Sequence, residues 1–460
     1  MGNVDVLRFG AYLPVAAMVG VAAVLSPGKV LLLGAGLAFA LICLYRLSAG
    51  VSVFAILVYL EHATSVGGAG IKLAGGVLAL TWIIALARPD DHTPLLLFEH
   101  PVVAAAALLF VFWALASTLW ASDQEAARGG AFRLLQGVLL LFIVYSAVAE
   151  PRDFVHVVTG TVGGAVLTVT LGLVDPSPSG FDPFLESQTR LGGAVGDPNT
   201  LAAVLLPALG VCVFTVGAVN EPWLRTAAVA GAFFLSFAVL LTGSRGGLVG
   251  LAVFLAIILI VARSLRSRIM LVLVGFVTVL IGFSMFGLLP ESGERLTRFS
   301  ERGGGGRIDI WRVALSIWRD HPLLGIGAGN FRGLEAVYAS RTLDLPEVRQ
   351  IVDDRVVVHN TYLETFTELG GVGLLLFAVL VLGSLTVGVR SLRARGNAGR
   401  IVKQIGGGLL VGVTGMLAAF FFISGEYEKQ LWLMLGLVVS LGTLSAGQNA
   451  SLSSIPRGSR

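Results

Sequence analysis

Apolar runs long enough to cross a bilayer follow one another along almost the whole chain, separated by short polar turns. A helix spanning the hydrocarbon core needs roughly 20 apolar residues, with a range of about 17–25. Runs of that kind lie near 9–25, 29–45, 47–60, 71–87, 101–120, 131–149, 154–174, 198–217, 223–242, 246–262, 268–287, 370–390, 404–423 and 430–447. The third is short and the eighth starts just after a proline, so the expected number of spans is twelve to fourteen. Charge agrees: 13% of residues are charged, against about 25% in a soluble domain. A barrel is excluded because its strands would be about 9–11 residues long and alternate in polarity. The expected fold is an all-α polytopic membrane protein.

Short loops set orientation, because arginine and lysine favour the cytoplasmic side. Arg263, Arg266 and Arg268 crowd one connection, and Arg390, Arg393, Arg395, Arg400 and Lys403 another. With both in the cytoplasm and fourteen spans, both termini fall inside and the polar interval 288–358 falls outside. The division expected is therefore residues 1–287 as N-terminal spans, 288–369 as an extracytoplasmic loop, 370–447 as C-terminal spans and 448–460 as a polar cytoplasmic tail. The first apolar run meets Ser26-Pro27-Gly28 and then a second run, the layout of a hairpin instead of a cleaved leader. The net charge of +4 fits cytoplasmic anchoring among membrane lipids. No basic stretch is interleaved with aromatics as single-strand nucleic-acid binding requires, so no nucleic-acid partner is expected. Cys43 and Cys212 fall inside spans and imply no disulfide framework.

The long polar interval carries ten arginines and ten acids and has structure of its own. Gly303 to Gly306 interrupts any helix. From Arg307 to Asp320 the spacing predicts an amphipathic helix, with Ile308, Trp311, Leu315 and Trp318 on its apolar face, set against the membrane interface or against other loop segments. His321-Pro322 ends it, and Gly325, Gly327 and Gly329 make a tight return. Thr361 and Glu364 have capping-box spacing, which places His359 and Asn360 just ahead of another helix. Gly370, Gly371 and Gly373 break that helix before the next span.

Three residues stand out chemically. His359 is the candidate general base, since histidine titrates near pH 6.5 and a helix N-terminus would keep the ring neutral; a capping or packing role is the alternative. Arg245, in Thr242-Gly243-Ser244-Arg245-Gly246-Gly247, sits among small residues on the side where positive charge is disfavoured. Its planar fork matches phosphate oxygens, although arginines also snorkel at helix ends. Arg307 offers the same chemistry. Asn199, in Asp197-Pro198-Asn199-Thr200, reads as a helix cap or a substrate contact. Asn360 and Glu426 are possible accessory residues, Glu426 lying in the polar turn Glu426-Tyr427-Glu428-Lys429. No histidine–cysteine cluster has ligand spacing and no His-Glu-x-x-His occurs; Asp353-Asp354 reads as a solvated pair. Neither a metal nor another cofactor is expected.

Together these motifs resemble the O-antigen ligase and O-antigen polymerase superfamily of bacterial envelope glycosyltransferases. The resemblance rests on Ser244-Arg245 between glycines and on Asp197-Pro198-Asn199. It continues in Arg307 to Trp311 leading to His321-Pro322-Leu323-Leu324-Gly325-Ile326-Gly327, and in His359-Asn360-Thr361-Tyr362-Leu363-Glu364. It covers roughly residues 190 to 430. It implies a fold similar to membrane-embedded class C glycosyltransferases. It also implies transfer of a glycan from an undecaprenyl-diphosphate carrier to a lipid or glycan acceptor, on the outer face of the bacterial inner membrane. In that family pattern Arg245 and Arg307 bind the diphosphate and His359 is the base of a metal-independent, inverting displacement. Protein-glycosylating relatives carry further C-terminal sequence, so a ligase acting on lipid A-core or a polymerase extending a carrier-linked glycan is expected, the ligase first. A flippase for lipid-linked glycans is the rival from another class. It would need charged residues along a path at mid-depth, and the spans are nearly free of charge there.

Overall fold

In the computed structural model the described residues are 27–61, 67–87, 93–174, 190–261, 307–342, 357–394 and 399–453. They are helical throughout, with no strand among them. In chain order the helices are α1 (Pro27–Tyr45), α2 (Leu47–Val58), α3 (Gly67–Leu86), α4 (Leu96–Glu99), α5 (Pro101–Ala116), α6 (Gln124–Ala147), α7 (Pro151–Val174) and α8 (Pro198–Ala218). Then come α9 (Pro222–Leu241), α10 (Arg245–Val261), α11 (Arg307–Asp320), α12 (Phe331–Thr342), α13 (Thr361–Arg393), α14 (Arg400–Ala419) and α15 (Lys429–Ser453). Twelve of the expected spans coincide with these helices; those at 9–25 and 268–287 lie outside the described residues. Among the described residues seven helices are long and apolar enough to cross a membrane, and α2, α10 and the described parts of α1, α3 and α15 are shorter apolar helices. Helix α15 continues to Ser453, past the boundary that hydropathy suggests.

Close helix approach is made by small residues. A Cβ on Gly210 of α8 would collide with the Gly408 carbonyl of α14, and one on Gly408 with the Gly210 carbonyl. Backbones in that contact nearly touch, which is how apolar helices gain packing energy where lipid gives no hydrophobic incentive. Trp432 of α15 is fully buried in the core with Phe110 and Phe377.

Helix α2 connects the two ends of the bundle. Its start lies beside the Arg46–Asp153 pair, and its last carbonyl, Val58 O, accepts from Gln430 Nε2 at the start of α15. Near that second end Lys429 pairs with Glu61 at 2.6 Å. The connection after α5 joins the same end, for Asp123 N donates to Asn330 Oδ1 at 2.9 Å and Asn330 Nδ2 to Asp123 O at 3.0 Å.

At this end α11 and α12 pack on the first turns of α13. The buried face of α11 is Ile310, Val313, Ala314 and Ile317, whereas Ile308 and Leu315 are exposed. The expected face is thus rotated, because the helix packs on protein: the two tryptophans lie at the edge of the contact, Trp318 on Phe366 at 4.6 Å and Trp311 on Phe422 at 6.4 Å. After Asp320 the chain turns back through Gly325, Gly327 and Gly329, all with φ between 69° and 100°. The return fits into a break in α13, where Gly370 leaves helical geometry with φ 68°. Ile326 N donates to Thr367 O, Gly327 N to Glu368 O and Gly371 N to Pro322 O. A Cβ on Gly370 would collide with the Leu323 carbonyl, so glycine is required both for conformation and for space.

Candidate functional site

The segment from Phe420 to Glu428, linking α14 to α15, borders the chain at or beside each of the three singled-out residues. Gly246, next to Arg245, packs so tightly on it that a Cβ there would lie 2.8 Å from Phe422 Cβ. Arg307 is one helical turn before Trp311, whose ring lies against Phe422 and whose Nε1 donates to Val358 O at 3.0 Å. His359 follows, and its backbone N–H donates to Ser424 Oγ at 3.1 Å. Residues 114 positions apart in sequence therefore flank one short segment, Phe422–Ser424.

Each is held by local structure. Ser244 caps α10, its Oγ accepting from Gly247 N at 3.1 Å, and Gly243 takes φ 60°. Arg245 thus stands exposed in the first turn of α10. A cation there is not what the helix dipole favours; the positive end of the helix and the guanidinium both suit an anion. Arg307 is half-buried and is the first described residue of α11. His359 is half-buried with φ 53°, in the left-handed region.

The accessory candidates sort differently from the sequence reading. Asn360 is the N-cap of α13, its Oδ1 accepting from Tyr362 N at 3.1 Å and Leu363 N at 3.0 Å. The expected capping box at Thr361 and Glu364 does not form, because asparagine one residue earlier takes the cap. Thr361 instead bonds Ile423 O and Gly425 N. Asp197, not Asn199, caps α8, accepting from Thr200 N at 2.7 Å. Pro198 in the first helical position, which needs no N–H partner, was the available signal. Asn199 accepts instead from Arg190 Nη2 at 3.0 Å, and Arg190 Nε donates to Thr242 O at 2.8 Å. Arg190, which sequence reasoning passed over, ties the start of α8 to the turn that carries Arg245.

Glu426 is not a wall of an open cavity. It is 3% exposed, and neither carboxylate oxygen has a hydrogen-bond partner. Burial, then the charges of Glu364 and Glu368, hold its carboxyl well above the usual range. Glu428 is pushed up to about 7 by burial and then by Glu61. Glu368 is differently placed. It accepts from Gly329 N at 2.6 Å, Phe331 N at 3.2 Å and the Tyr427 hydroxyl at 2.9 Å. Arg133 lies 4.3 Å over the Tyr427 ring. Among the described residues no three His, Cys, Asp or Glu side chains are arranged to hold a metal ion; Asp353 and Asp354 lie outside those residues, as do Gly303 to Gly306.

Sequence alone singled out neither Ser424, Glu368, Tyr427 nor Arg133. Their roles depend on contacts between segments about 40 to 300 residues apart, for which a single sequence carries no periodic signal.

Residues 230–378 match the family model for O-antigen ligase. The matched stretch contains Arg245, Arg307, His359 and Asn360; Arg190, Asn199, Ser424 and Glu426 lie outside it. No curated protein matches the chain significantly.

Proposed function

We propose, on the premise that this chain is a membrane protein of the O-antigen ligase superfamily, that it transfers a glycan from an undecaprenyl-diphosphate carrier to an acceptor hydroxyl. The observation that carries this reading is that Phe422–Ser424 is bordered by Gly246, next to Arg245, by Trp311, one turn from Arg307, and by His359. Two arginines and one histidine, carried by chain that borders one short segment, suit a reaction that expels a diphosphate while an alcohol attacks. His359 accepts the acceptor's hydroxyl proton as the oxygen attacks the anomeric carbon. The bond from that carbon to the diphosphate oxygen breaks, and Arg245 and Arg307 stabilise the charge developing on the leaving diphosphate. Direct displacement inverts the anomeric centre, and His359 then releases its proton to water. Because the arginines neutralise the leaving group, the step runs without a divalent metal.

The reaction lies on the extracytoplasmic face of the inner membrane, with both termini inside. The acceptor is a lipid, as for a ligase acting on lipid A-core. A transport role is disfavoured because the buried carboxylates among the described residues, Asp153, Glu335, Glu364, Glu368 and Glu426, lie at helix ends, in α12 or in connections, not along a path at mid-depth.

The test is to supply purified protein in lipid nanodiscs with an undecaprenyl-diphosphate oligosaccharide and a lipid A-core acceptor, and to identify the product by mass spectrometry. Glycan joined to lipid A-core supports a ligase. Glycan joined to a second carrier-linked glycan identifies a polymerase with the same site. Translocation of intact donor in vesicles, with no new glycosidic bond, overturns the reading.

A further inference from the structure

Among the described residues His359 alone, apart from glycines, has a positive φ, at 53°. A side chain with a Cβ disfavours that region, so neighbouring structure must hold the backbone there. The dihedral also fixes the direction in which the Cα–Cβ bond, and hence the imidazole, leaves the chain. The hold comes from across the site: His359 N–H donates to Ser424 Oγ at 3.1 Å.

The surrounding backbone is secured independently of the serine side chain. Thr361 N donates to Ile423 O at 2.8 Å, Thr361 Oγ1 to the same carbonyl at 2.7 Å, and Gly425 N to Thr361 Oγ1 at 2.8 Å. These bonds fix the chain on both sides of Ser424. Deleting the Ser424 hydroxyl therefore removes the acceptor for His359 N–H and leaves the segment in place.

We propose that Ser424 is the positioning residue for His359: its hydroxyl holds the left-handed backbone that aims the imidazole at the acceptor hydroxyl. This rests on the reading of His359 as the base. Ser424 acts through His359, so its loss lowers turnover and leaves donor binding, the work of the arginines, intact. Misplacing a catalytic group by about 1 Å costs up to about a hundredfold.

The experiment measures kcat and donor KM for Ser424→Ala, Ser424→Thr and His359→Ala in nanodiscs, with the imidazole NMR signal of His359 assigned by its absence from His359→Ala. The expected result is a ten- to hundredfold lower kcat at unchanged KM for Ser424→Ala. Ser424→Thr, which keeps the hydroxyl, should recover most of the turnover. The His359 signal should move in Ser424→Ala and stay in Ser424→Thr. An inactive His359→Ala beside a Ser424→Ala enzyme of wild-type kcat and unmoved signal overturns the positioning role and leaves the base intact. Threonine as damaging as alanine at position 424 also overturns it, since packing would then be the cause. An active His359→Ala enzyme defeats the underlying reading instead.

Discussion

Asp153 and Glu426 are buried carboxylates at opposite ends of the bundle, 6% and 3% exposed, and their surroundings are opposite in kind. Asp153 Oδ1 accepts from Arg46 Nε at 2.9 Å, Arg46 Nη2 at 2.6 Å and Ser48 Oγ at 2.7 Å, while Oδ2 accepts from Glu150 N at 3.0 Å. Glu426 has no partner on either oxygen and two further acids nearby. The first arrangement compensates the cost of removing a charge from water; the second leaves it uncompensated. Violations of that kind gather where something other than stability sets the residues. Arg245, Arg307, the left-handed His359 and the broken helix at Gly370 lie at the same end as Glu426.

Exchange of roles between the ends would break this comparison. The largest expected effect is on chemistry at the site end: His359→Gln should lose about 10²–10⁴ in transfer rate with little change in thermal midpoint. At the other end Asp153→Ala should do the reverse. It should lose about 2–3 kcal/mol, below the range for a fully buried pair because the Arg46 side chain is 29% exposed. Its turnover per folded molecule should be unchanged. Detergent-solubilised protein assayed for both midpoint and turnover decides between them, and a mutant at either end that moves both equally would remove the distinction.

A smaller effect sharpens the comparison through pH. The carboxyls of Glu426 and Glu428 titrate above the usual range in the folded protein, so the folded state binds more protons than the unfolded one. Their stabilising contribution is complete below the ordinary carboxylate range and is lost as pH rises through the raised values, for Glu428 through about 7. The thermal midpoint should therefore fall from mildly acidic to alkaline pH. Glu426→Gln, which resembles the protonated acid, should match wild type in acid and exceed it in alkali, read as midpoint against pH for both proteins. A midpoint that rises with pH would show these groups to be ionised and compensated after all.

What the sequence made legible follows from how local each signal is. Spans are statements about continuous runs, and so is the Gly325–Gly329 return; both could be read without knowing the fold. The break at Gly370 was readable for the same reason, although its cause, the backbone of Leu323 pressed against it, was not. Cap registers slipped by one or two residues at Asn360 and Asp197, because several adjacent polar residues can cap and only the path of the preceding chain selects one. Packing of α11 on protein was one of the two settings expected, but its face was misjudged: Ile310, Val313, Ala314 and Ile317 are buried, and tryptophans at the edge of a packed contact pulled the expected face toward themselves. Arg190 and Ser424 gained their roles only when distant segments met.

The central claim is that Arg245 and Arg307 grip one diphosphate at the site where His359 works. The most direct measurement is transfer rate against donor concentration for Arg245→Lys, Arg307→Lys and, as comparison, Arg341→Lys on the exposed end of α12. Lysine keeps the charge but lacks the planar fork, and losing a charge-assisted bond of about 1.5–3 kcal/mol corresponds to roughly ten- to a hundredfold weaker transfer. The account predicts that loss in each of the first two variants and near wild-type transfer from the third. Equal tolerance of lysine at all three positions would contradict it, leaving only a diffuse positive field where a two-arginine clamp is proposed.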